Sequence, residues 1–140
     1  MTGTMLLHAS CVAFNGRGLL IIGPSGLGKS ALALRLLALG AGLVADDRVE
    51  LAREGAALVA RCPATIRGLI EARGVGVLRA DPVDSAVVTL VADLAQVETD
   101  RLPPQRKVTL LGCEVDLVLQ VQDNHFPDAL MLYLCHGRHA

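Results

Sequence analysis

The clearest chemistry in this sequence is concentrated in one short stretch. Gly23-Pro24-Ser25-Gly26-Leu27-Gly28-Lys29-Ser30 fits the P-loop pattern G-x-x-x-x-G-K-S/T. Glycines let backbone N–H groups turn inward around phosphate oxygens, and a helix that starts where the loop ends aims its positive pole at them. In this pattern the lysine reaches the β- and γ-phosphates and the Ser30 hydroxyl ligates Mg²⁺. Such a site also needs a carboxylate at the end of a neighbouring strand. Asp46-Asp47 follows the short apolar run Leu43–Ala45 and meets that need. Alternation along an extended chain points the two side chains in different directions. One carboxylate is then free for the metal shell and the other for the proton of an acceptor hydroxyl. A turn or helix cap is the competing reading of the pair.

A third acidic residue, Glu71, lies in Ile70-Glu71-Ala72-Arg73-Gly74-Val75-Gly76. The close-set Gly74 and Gly76 indicate tight backbone approach or unusual dihedrals. Taken alone, Glu71 and Arg73 read equally well as a surface charge pair.

These residues need a scaffold, and the flanking sequence supplies one. Met5–Phe14 reads as a strand, and Asn15-Gly16 is a hairpin signal, because both residues tolerate positive φ. Leu19–Ile22 is a wholly apolar strand suited to the middle of a sheet. It runs straight into the glycine-rich loop. Ser30–Leu39 reads as a helix stopped by Gly40. Val49–Arg53 and Ala57–Arg61 pair across Glu54-Gly55. Pro63 opens a short helix over Ala64–Ala72. Gly74–Leu78 and Val87–Ala92 read as strands, and Asp93–Gln105, with Pro103-Pro104, reads as a loop. Val108–Leu111 and Val115–Val121 form two late strands broken near Gly112. Pro127–Cys135 is a final helix with proline at its start. The order of elements implies an α/β domain with a mixed sheet.

The 140 residues suit one compact domain, residues 1–140, and 52% are apolar but only 2% aromatic. The core is therefore built from Leu, Val, Ile and Ala, as in buried α/β sheets. A formal net charge of -1 argues against a nucleic-acid partner. The apolar runs are too short to span a bilayer, and no basic start with an apolar stretch and cleavage site is visible, so a cytoplasmic location is expected. Cys11, Cys62, Cys113 and Cys135 lack zinc or disulfide spacing and read as buried reduced thiols. His125, His136 and His139 lack supporting ligands at metal spacing and read as a solvated tail. Arg101, Arg106 and Lys107 form a modest basic group around the proline-rich loop.

His8, the loop Gly23–Ser30, the stretch Leu43-Val44-Ala45-Asp46-Asp47-Arg48-Val49-Glu50 and the stretch Ile70-Glu71-Ala72-Arg73-Gly74-Val75-Gly76-Val77 together resemble the catalytic domain of bacterial HPr kinase/phosphorylase. The resemblance runs from His8 to Val121. It implies a P-loop fold similar to the nucleotide-binding core of phosphoenolpyruvate carboxykinases. The implied activity is transfer of phosphate from ATP, with Mg²⁺, to a serine of HPr, the phosphocarrier of the sugar phosphotransferase system. By the same resemblance Lys29 binds the transferring phosphate, and Ser30 and Glu71 hold Mg²⁺. Asp47 acts as base toward the serine, Asp46 assists at the metal or base, and His8 matches a family histidine close to the active site that interacts with the carboxylates or the phosphate. Arg101, in Asp100-Arg101-Leu102, matches a family arginine that contributes to catalysis.

Family members carry a further N-terminal domain, and the expectation here is the truncated single-domain form found in some proteobacteria. Members form hexamers, so a homo-oligomer is an implied partner state. Their late Pro/Arg/Gly-rich segment, tied to phosphorolysis, is replaced by Val108-Thr109-Leu110-Leu111-Gly112-Cys113-Glu114-Val115, without arginine or proline. A kinase with weak or absent phosphorylase activity is expected. Two alternatives remain on the sequence: a P-loop kinase of small metabolites, and a nucleotide-binding regulatory module without catalysis.

Overall fold

The computed structural model describes residues 3–140. The elements in order are β1 (Thr4–Leu7), β2 (Ser10–Phe14), β3 (Arg17–Ile22), α1 (Lys29–Ala38), β4 (Gly42–Ala45), β5 (Val49–Glu54), β6 (Ala57–Arg61), β7 (Leu69–Ala72), β8 (Gly76–Arg79), β9 (Ser85–Val97), β10 (Arg106–Leu110), β11 (Cys113–Gln120) and α2 (Phe126–His136). All strands but β7 and β8 belong to one curled, 9-stranded mixed sheet.

Strand β9 organises that sheet. Its 13 residues are shared among three partners. Strand β3 runs parallel to it, with Ile22 level with Asp93. On its other edge, β6 pairs antiparallel near Ser85–Val87, and β11 takes over in parallel from Leu90 onward. The second edge of β9 therefore serves two strands in succession, and the sheet curls around it.

Period-two alternation gives the sheet two apolar faces. Cys11, Ala13, Leu20 and Val44 pack into one buried cluster, under β5, β6 and β11. Val12, Leu19, Ile21 and Leu43 point the other way and meet Ala33 and Leu36 of α1 and Phe126, Leu130 and Leu134 of α2. The α2 residues recur every four positions, which lays one apolar stripe on the sheet. Helix α1 ends as expected: Gly40 takes φ 112, and the Gly40 and Ala41 N–H groups bond back to Leu37 and Leu36 carbonyls.

The Asn15-Gly16 hairpin is present, with φ 52 and 78. Other expectations are corrected. The apolar run Met5–Phe14 is two strands, because the chain leaves the β5 pairing at Leu7 and enters the β3 pairing at Ser10 and the β4 pairing at Cys11. Ala64–Ala72 is no helix: a single 3-10 turn covers Ala64–Ile66, Gly68 takes φ 72, and Leu69–Ala72 pairs with β8 in a separate hairpin. The loop expected from Asp93 begins only after Val97, since ladder bonds to β11 hold the polar residues of β9 in the sheet. Of the cysteines, Cys11 and Cys113 are buried, whereas Cys62 and Cys135 are partly exposed. His136 belongs to α2, and His125 precedes that helix paired with Asp123. No helix among the described residues is long and apolar enough to cross a membrane.

Candidate active site

The phosphate-binding pattern lies where its chemistry requires. Strand β3 delivers the chain to Gly23, and α1 begins at Lys29. Gly23, Gly26 and Gly28 adopt φ 142, 88 and 90, conformations that side chains with a Cβ rarely take. A Cβ built on Gly26 or Gly28 would meet no protein atom and stand in the open cradle that both residues line. Lys29 is buried, and its Nζ donates to the Gly23 carbonyl at 2.6 Å. The lysine is thus tethered across the mouth of the loop it follows.

Strand β4 brings the acidic pair to this loop. Asp46, 7% exposed, lies behind the cavity wall, and its Oδ1 accepts the Ser30 hydroxyl at 2.7 Å. The Ser10 hydroxyl donates to the same oxygen at 2.8 Å, and the Glu71 backbone N–H approaches Oδ2 at 3.4 Å. Asp46 is therefore a structural hub joining α1, β2, β4 and β7.

Asp47 turns the other way, but strand alternation is not the reason. Its φ is 71, so the chain leaves extended geometry directly after Asp46. A non-glycine residue in this region costs about 1–2 kcal/mol and persists where the surroundings hold it. Here His8 holds it: Nε2 lies 2.5 Å from Asp47 Oδ1. An ionised carboxylate only accepts, so this nitrogen carries the proton. Both side chains are more than half exposed, and they face the cleft.

The cleft has a volume of about 460 Å³. His8, Lys29, Ser30, Asp47, Glu71 and Arg73 all open onto it. Cationic and anionic groups thus face each other across one space, the arrangement needed to bind a polyphosphate and to take a proton from an incoming group. Among the residues expected to act in catalysis or on the metal, Arg101 alone neither lines the cleft nor bonds to a residue that does. It is exposed, follows the end of β9, and does not line the cleft. Its basic neighbours are engaged elsewhere. Arg106 forms two hydrogen bonds to Glu98, which hold that carboxyl below the usual range, and Lys107 pairs with Asp116.

The oxygen donors on the wall, Ser30, Asp47 and Glu71, with Asp46 behind them, form a hard donor set suited to Mg²⁺. Among the described residues no group of three or more His, Cys, Asp or Glu side chains forms a cage. Mg²⁺ is ordinarily held by one or two protein groups together with phosphate oxygens, so the residues present fit it.

Ser10 and Arg73 carry no role in the sequence reading. Ser10 begins β2 just after the break that holds His8, and nothing local in the sequence marks its place. Arg73 was visible as a neighbour of Glu71, but its position on the cleft depends on the β7–β8 hairpin.

A family model described as the HPr serine kinase C-terminal domain matches residues 1–123. HPr kinase/phosphorylase of Bordetella pertussis is 40% identical over 114 residues, which cover 73% of this chain and 37% of that protein. Its counterpart from Leptothrix cholodnii is 46% identical over 109 residues, covering 69% and 34%. The chain therefore spans about a third of the length of these curated relatives. The solved structure of the Hpr(Ser) kinase/phosphatase from Coxiella burnetii matches with a TM-score of 0.78 at 29% identity, over 94% of this chain and 93% of that one. Loop, paired acids and the Glu71 hairpin, read with these matches, place the chain in the HPr serine kinase C-terminal domain family.

Proposed function

We propose that this chain is a serine kinase that uses ATP and Mg²⁺ to phosphorylate HPr in the cytoplasm, with little or no phosphorylase activity. One observation carries the reading: Asp47, held by His8, opens onto the same cleft as Lys29 and the glycine cradle.

The tasks of the residues around the cleft are read from their surroundings and from the family resemblance. The loop amides and Lys29 bind the phosphates and spread the charge that builds during transfer. Ser30 and Glu71 would hold Mg²⁺, and Asp46 fixes Ser30. When bound, the metal neutralises phosphate charge. Asp47 Oδ1 is committed to His8, which leaves Oδ2 to accept the proton of the acceptor serine. His8 keeps that carboxylate turned to the cleft. Because Asp47 and His8 are largely exposed, a serine on the surface of a folded protein can reach them. A base made for a small metabolite would ordinarily be enclosed. Arg101 is assigned to charge stabilisation through the family resemblance alone. The replaced Val108–Val115 segment forms an ordinary hairpin, β10–β11, and supports the expectation of weak phosphorolysis.

Incubation with labelled ATP, Mg²⁺ and purified HPr tests the proposal. Label on HPr that vanishes when the acceptor serine is replaced is the expected result. An unlabelled HPr beside a phosphorylated small metabolite would overturn it.

A further inference from the structure

We infer that Ser10 is a positioning residue of the phosphate site, whose buried hydroxyl fixes Asp46 so that Ser30 can present its oxygen to Mg²⁺. The inference rests on the kinase reading above and deepens it.

Ser10 begins β2 and has no exposed surface. Strands β2 and β4 run antiparallel, with Cys11 opposite Ala45. One step further along this ladder sets Ser10 opposite Asp46. The two side chains meet there, Ser10 Oγ donating to Asp46 Oδ1 at 2.8 Å. The same oxygen takes the Ser30 hydroxyl at 2.7 Å. One carboxylate oxygen thus gathers two hydroxyls, one from the sheet and one from the first turn of α1.

The two serines are not equivalent. A buried carboxylate needs donors supplied by the protein, and either hydroxyl serves that need. Ser30 has a second task, because its oxygen faces the metal in the phosphate-loop pattern. Giving its single proton to Asp46 leaves its lone pairs on the cleft side. Ser10, fully buried, has no such second task. It pins Oδ1 from the sheet, so Ser30 finds its acceptor already in place. Groups that orient a metal ligand in this way alter metal affinity about 10- to 100-fold when removed.

Ser10→Val and Ser10→Thr test this as a pair. They have nearly the same shape and share any crowding in the buried position, but only threonine keeps the hydroxyl. ATP binding is measured by calorimetry on the full chain across a Mg²⁺ series and in excess chelator, with a thermal melt to verify folding. Ser10→Val is expected to raise the half-saturating Mg²⁺ concentration about 10- to 100-fold while chelator-resistant ATP binding stays unchanged. Ser10→Thr is expected to return the Mg²⁺ dependence close to the unmodified value. If valine is not tolerated, Ser10→Ala, which is smaller, is expected to give the same shift. Unchanged Mg²⁺ dependence in Ser10→Val or Ser10→Ala overturns the inference and leaves the kinase reading intact. Equal loss of ATP binding with and without Mg²⁺ also overturns it, since the role is then structural. An unmodified chain that binds ATP with Mg²⁺ but never labels HPr contradicts the kinase reading alone. No Mg²⁺-dependent ATP binding by the unmodified chain contradicts both.

Discussion

His8 Nε2 lies 2.5 Å from Asp47 Oδ1, although 39 residues separate the two in sequence. The contact joins the break between β1 and β2 to the left-handed turn after β4. It turns Asp47 toward the cleft and leaves one carboxylate oxygen free. Asp46, its neighbour, has both oxygens engaged inside the fold. The adjacent acids therefore differ in their surroundings: Asp46 is anchored inside the fold, and Asp47 opens onto the cleft, as the proposed base requires.

Asp47→Asn keeps the shape of the side chain and removes its basicity. Phosphate transfer is expected to fall about 10²–10⁴-fold, the ordinary worth of a positioned base, with ATP affinity nearly unchanged. His8→Ala is expected to lower kcat less, again without a matching change in ATP binding. Steady-state kinetics beside calorimetric ATP titration separate the two effects. Loss of ATP binding in Asp47→Asn would contradict its assignment as base.

Lys29 answers to a different measurement. It is buried and tethered to the Gly23 carbonyl, so Lys29→Ala removes a charge already held at the loop. Loss of one such stabilising group costs roughly 10²–10³ in kcat. A variant with activity within a few-fold of the unmodified chain would contradict that role.

Cys11 is expected to contribute to the loss of stability at alkaline pH. It packs in the core with no exposed surface, and burial pushes its thiol from 9.0 up to about 12. The folded value exceeds the unfolded one, so this stabilisation is complete below about pH 9 and fades as the pH climbs toward 12. Denaturant midpoints measured from pH 8 upward are expected to fall, and Cys11→Ala is expected to flatten that slope while lowering stability near neutral pH. A slope unchanged by the substitution would assign the alkaline loss to other groups.

Much of the site was legible because its signals are local. Gly23–Ser30 carries its own geometry, and Asn15-Gly16 and Gly40 each require a positive φ that few other residues supply. What stayed hidden depends on pairing between distant segments. Nothing near His8 announces that β1 joins β5 while β2 joins β3 and β4, yet that switch places His8 beside Asp47. Ser10 looks like any polar residue in a strand until β4 sets Asp46 opposite it. The polar residues after Asp93 resemble a loop because the sequence does not reveal β11 running alongside. The turn at Asp47 is written in the packing around it, since aspartate by itself has no strong need for φ 71.

Transfer of labelled phosphate from ATP to purified HPr, compared between the unmodified chain and Asp47→Asn, tests the central claim most directly. The account predicts label on a single HPr serine with the unmodified chain and at most about one hundredth of that rate with Asp47→Asn, although both bind ATP. Equal labelling by the two proteins, or none by the unmodified chain while it binds ATP and Mg²⁺, would contradict it.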